Sequence, residues 1–99
     1  MTVSDLKRSA AADAAPPAGL SPELQALWFT KAGRWEQAHN IAQDISTRTG
    51  SWIHALLHLI EGDTGNAGYW FHRAGRSAVG TGQIDAEWER IAADLLGPA

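Results

Sequence analysis

SWIHALLHLIEGDTGNAGYWFHRAG, residues 51–75, decides the fold of this chain. Its first eleven residues are apolar on nearly every side, the pattern of a helix surrounded by other helices. GDTGN (62–66) is a turn, with Asp63 or Thr64 able to cap the next helix. That second helix runs from about Asn66 to Val79, so the segment is a helical hairpin. It also holds three of the four histidines and two of the five tryptophans, which makes it the natural place to look for a site.

Upstream, SPELQALWF (21–29) opens with a good N-cap, Ser21, and with Pro22 at the first helical position. Leu24, Leu27 and Trp28 recur at helical spacing, and Gly33 suits the end of that helix. RWEQAHNIAQDIST (34–47) carries Trp35, Ala38, Ile41, Ala42 and Ile45 on one stripe, and RTGS is expected to break it around Gly50. Downstream, GTG (80–82) interrupts the chain before QIDAEWERIAADLLG (83–97). There Ile84, Trp88, Ile91, Ala92 and Leu95 share a face, and Gly97-Pro98 stops the helix. Residues 1–20, rich in Ala, Ser, Pro and Gly, read as a flexible arm. Their SDLK fits a Ser-x-x-Lys pattern without the rest of that constellation. No stretch alternates like a strand. The expectation is a single all-α domain over residues 21–99, with five helices. Two antiparallel hairpins stack in a tetratricopeptide-like manner, and a C-terminal helix caps them.

The 99 residues suit one small domain. Residues 1–50 carry five acids and five bases, and residues 51–99 carry six acids and three bases. No basic stripe or charge block is present, so nucleic acid is not expected as a partner. No run approaches a membrane span, the start has no long apolar run of a secretory signal, and there is no cysteine. A cytoplasmic protein without disulfides or thiolate chemistry is expected, with no membrane partner.

The two hairpins repeat. Gly33 precedes Ala38 by five residues and Gly62 precedes Ala67 by five, an offset of 29 between units. Small residues there let paired helices approach closely. With Phe71 and Ala74, this spacing over residues 22–79 resembles the tetratricopeptide repeat, although that repeat is usually longer and has Gly where Ala26 and Ala55 stand. A second resemblance rests on Trp52-Ile53-His54-Ala55, Leu57-His58, Glu61-Gly62-Asp63, Asn66-Ala67, Tyr69-Trp70-Phe71 and Arg73-Ala74-Gly75. Trp35, Ala38-His39 and Gln43 lie upstream of it. These are similar to the central motif of a small bacterial and fungal helical protein family without an assigned biochemical function. The resemblance implies that these residues belong together and implies no mechanism.

His54 and His58, four apart, project from one helix face and can share a metal. Zinc needs a further ligand, from His39, His72, Glu61 or Asp63. Ala55 stands where a zincin has its catalytic Glu. The competing reading is a pair of packed, hydrogen-bonded core histidines. A wider set, Trp35, His39 and Gln43 with His54, His58, Asn66, Tyr69, Trp70 and Arg73, would line a ligand cleft if the three middle helices are neighbours. In that cleft Arg73 would hold an anion. The alternative is a polar network fixing helix register. GDTGNAG lacks the Lys and spacing of a phosphate loop and reads as a tight turn. Trp28, Trp52 and Trp88 belong to the core. Trp35 and Trp70 border polar residues, and Tyr69, Trp70 and Phe71 cannot all face inward.

Two functions are expected from these features. One is a module that binds a small molecule, a peptide or protein partner, or a second copy of itself as a homodimer. The other is a small enzyme, metal-dependent or not, with His54 or His58 as acid/base or ligand. No cofactor is named by the sequence.

Overall fold

The computed structural model describes residues 1–97. Among them, six α-helices succeed one another: α1 (Val3–Ala12), α2 (Pro22–Lys31), α3 (Trp35–Ala42), α4 (Arg48–Ile60), α5 (Thr64–Arg73) and α6 (Ile84–Leu96). A 3-10 turn at Thr81–Gln83 leads into α6, and no strand occurs among the described residues.

The pairs α2/α3 and α4/α5 are hairpins closed by the same device. The Gly33 N–H donates to the Thr30 carbonyl and the Arg34 N–H to the Phe29 carbonyl. Twenty-nine residues later, Gly62 donates to Leu59 and Asp63 to His58. Gly33 (φ +78°) and Gly62 (φ +77°) take the left-handed conformation that a residue with a Cβ adopts only at a cost. Ala38 and Ala67, five residues further on in each unit, are buried where the paired helices meet.

Helix α4 lies at the centre, packed against α2, α3, α5 and α6. That explains its all-round apolar sequence. Trp28, Trp52 and Trp88 are buried as expected, and each indole N–H has a partner. Trp28 donates to Ser9 Oγ (3.0 Å), Trp52 to Glu87 Oε2 (2.8 Å) and Trp88 to the Leu27 carbonyl (2.9 Å). Glu87 is itself buried and ion-paired with Arg90, so no uncompensated charge enters the core.

Three expectations change. Residues 3–12 are a docked helix rather than part of a flexible arm. Thr2 and Asp5 form a reciprocal capping box, Leu6 (0% exposed) and Ala10 face the core, and α1 packs on α2 and α6. Alanine favours helix, and two apolar side chains four apart suffice when a partner face waits for them. Gly50 does not break the chain. It sits inside α4, whose N-cap is Thr47, its side chain accepting from the Gly50 N–H. The glycine is there for space, since a Cβ would lie 2.6 Å from Ile45 Cγ2 and 2.7 Å from its carbonyl oxygen. Helix α3 accordingly stops at Ala42. Helix α5 ends at Arg73 rather than near Val79, because Gly75 (φ +70°) repeats the turn of Gly33 and Gly62.

Candidate functional site

Helices α3 and α4 bring His39, His54 and His58 together. On α4 the i, i+4 spacing stacks the His54 and His58 rings (centroids 4.9 Å apart, 14° between planes). On α3 the same spacing stacks Trp35 on His39 (4.8 Å, 9°). The two stacks meet at right angles. His39 presents an edge to His54 (4.7 Å, 89°) and to His58 (5.8 Å, 84°). Trp70 of α5 extends the α4 stack, lying 3.9 Å from His54 and nearly parallel to it. The Trp35 indole N–H donates to the Leu57 carbonyl (2.7 Å), which pins the second wall to α4.

At the centre, His39 Nε2 and His54 Nε2 are 3.0 Å apart. One of these nitrogens must donate and the other accept, so at least one ring is neutral. Taking one ring nitrogen from each of the three histidines, all lie within 4.8 Å of one another. A tetrahedral ion with metal–nitrogen bonds of about 2.0–2.1 Å needs its nitrogens roughly 3.3–3.4 Å apart, within the range these side chains span. His54 is only 6% exposed, whereas His39 and His58 are half-buried and open on one side to solvent.

The electrostatics favour the neutral form of His54 and His39. Burial, then the neighbouring His39 and His58, bring the His54 imidazole down to about 4 from an ordinary 6.5. His39 is lowered by burial and by His58, with Glu61 opposing. No carboxylate or carbonyl hydrogen-bonds any of the three rings among the described residues.

The remaining predicted residues are placed differently. Asp63 is the N-cap of α5, accepting from the Asn66 N–H and from the Asn66 side-chain amide (3.1 Å). Both residues therefore serve the turn, and His39 rather than Asp63 completes the histidine cluster. Gln43 is exposed at the C-terminal end of α3. Tyr69 faces solvent (54% exposed), and its hydroxyl accepts from Arg73 (3.3 Å). The Arg73 guanidinium lies over the rings of Trp70 (5.2 Å) and Tyr69 (5.9 Å). His72 is exposed on α5 and stands outside the cluster. Two residues with site character carried no signal in the sequence: Arg48 and Arg76, which share a cleft at the other end of α4.

Comparison with protein-family models, with curated proteins and with solved structures returns no match.

Proposed function

We propose that the protein is a small binding module whose ligand is a first-row transition-metal ion, held by His39, His54 and His58. One observation carries the reading: three imidazole nitrogens from two helices converge within 4.8 Å. Metal binding requires neutral imidazoles, and burial of His54 already disfavours its charged form. Here an imidazole faces another imidazole, an arrangement that a bridging cation converts from a proton-dependent contact into two coordinate bonds. Three nitrogens and no oxygen suit Zn2+, Cu2+ or Ni2+ and not Mg2+ or Ca2+. The indoles of Trp35 and Trp70 stack on His39 and His54 and hold those rings in place.

Binding is favoured over catalysis because a catalytic metal needs room for a substrate beside it. Three clefts of the fold, of about 510, 290 and 130 Å3, are each lined by residues other than the three histidines.

The test is calorimetric titration of EDTA-treated protein with Zn2+ near neutral pH, with native mass spectrometry for stoichiometry. His39→Gln and His58→Gln alter half-buried rings, and circular dichroism checks that both variants stay folded. The expected result is one equivalent bound, with affinity reduced at least about tenfold in each variant and no uptake of Mg2+. A folded wild-type protein that takes up no Zn2+, or variants that bind it equally well, overturns the reading.

A further inference from the structure

The cleft at the N-terminal end of α4 has a different chemistry. It encloses about 290 Å3 and is lined by Arg48 and Thr49, by Trp52, by Gly75 and Arg76 after α5, and by Asp94 of α6. Arg76 has two contacts at the cleft wall. Its guanidinium lies 3.8 Å from the centroid of the Trp52 ring and 3.6 Å from the Asp94 carboxylate. The indole beneath it is locked in turn, since its N–H donates to the buried Glu87, whose charge Arg90 balances. Arg48 approaches from the other side, over the turn at Gly75. A Cβ built on Gly75 would come within 3.5 Å of Arg48 Nη1.

Two guanidiniums therefore face one cavity that contains a single carboxylate. Asp94 pairs with Arg76, and Arg48 forms no ion pair among the described residues. The chain as a whole carries a net charge of -3, so this cleft is cationic against the general trend. Packing on Trp52 accounts for Arg76 but not for Arg48. Planar forks of N–H donors arriving from different elements match the several oxygens of a tetrahedral oxyanion better than one carboxylate.

We propose that this cleft binds a phosphate group, free or carried on a small organic molecule, with Arg48 and Arg76 as its two clamps. Asp94 then competes with the ligand for Arg76. Arg48 and Asp94 make opposite predictions, which separates a ligand site from a structural arginine cluster.

The experiment tracks amide and indole resonances of the metal-free full chain during titration with inorganic phosphate. Phenyl phosphate and acetate are titrated in parallel at constant ionic strength. Saturable shifts are expected at Thr49, Gly75 and the Trp52 indole N–H, with phosphate binding more tightly than acetate. Tighter binding of phenyl phosphate than of inorganic phosphate assigns the site to a phosphorylated molecule, and the reverse order assigns it to the free ion. Arg48→Gln should weaken binding about fivefold or more, and Asp94→Asn should strengthen it about threefold. Both substituted side chains are exposed, so the fold is retained, and an unchanged amide spectrum elsewhere verifies it. Shifts that do not saturate, that scatter over the surface, or that are indifferent to both substitutions overturn the proposal.

Discussion

Acidifying the metal-free protein should weaken it in a window set by His54. In the unfolded chain this imidazole has its ordinary value of 6.5, and in the fold it falls to about 4. As pH drops through 6.5, the unfolded state takes up a proton that the folded state refuses, so stability declines. The decline levels off below about pH 4, where both states are protonated. With those two values, linkage gives a loss of about 2 kcal/mol between pH 7.5 and pH 5, rising toward about 3 kcal/mol at lower pH. His39 is lowered too and acts in the same direction. Asp5, lowered by its bonds to Thr2, contributes stability that is lost as pH falls below the ordinary 3.8, under the interval from pH 7.5 to pH 5. The assay is urea denaturation at pH 7.5 and pH 5 for wild type and His54→Gln. The variant will start less stable, because its stacking is gone, so the quantity compared is the change with pH. That change should be smaller in the variant by about 2 kcal/mol. Equal pH dependence in the two proteins would refute the account of His54 as a buried neutral ring.

Three further outcomes are expected. Leu6→Ala should cost about 2–4 kcal/mol in urea denaturation, since Leu6 is fully buried; a change within error would mean that α1 is not docked in solution. Gly50→Ala should destabilise by roughly 1–2 kcal/mol despite alanine's better helix propensity, because its methyl meets both the side chain and the backbone of Ile45; a stabilised variant would show that this contact relaxes freely. Asp63→Ala should lower stability by about 1 kcal/mol through the lost cap of α5 while leaving Zn2+ affinity unchanged; weakened zinc binding would return Asp63 to the ligand set.

The hairpins were legible because their signals are local. Gly33 and Gly62 with Ala38 and Ala67 encode turn and close packing within a few residues, and the same hydrogen bonds recur 29 residues apart. The i, i+4 pairing of His54 with His58 was legible for the same reason. The third histidine was one of several candidates, since choosing His39 over Asp63 depends on how α3 docks on α4. Helix α1 was missed because its burial is conferred by α2 and α6, not by its own weak apolar pattern. Gly50 misled for a related reason: inside a helix, a glycine that makes room for Ile45 looks identical in sequence to one that ends the helix. Arg48 and Arg76, 28 positions apart, share a cleft only once α4, α5 and α6 are assembled.

The bond from the Trp88 indole to the Leu27 carbonyl spans 61 residues. During synthesis at about 5–20 residues per second, α2 therefore waits about 3–12 s before the side chain that covers it emerges. For those seconds the Leu27–Trp28 face of the nascent chain has α1 as a cover but not α6. Helix α1 is already synthesised by then, but its own burial is complete only when α6 joins α2 against it. Loss of α1 would then be felt in the yield of correctly folded chains on the ribosome as well as in the equilibrium stability of the finished protein.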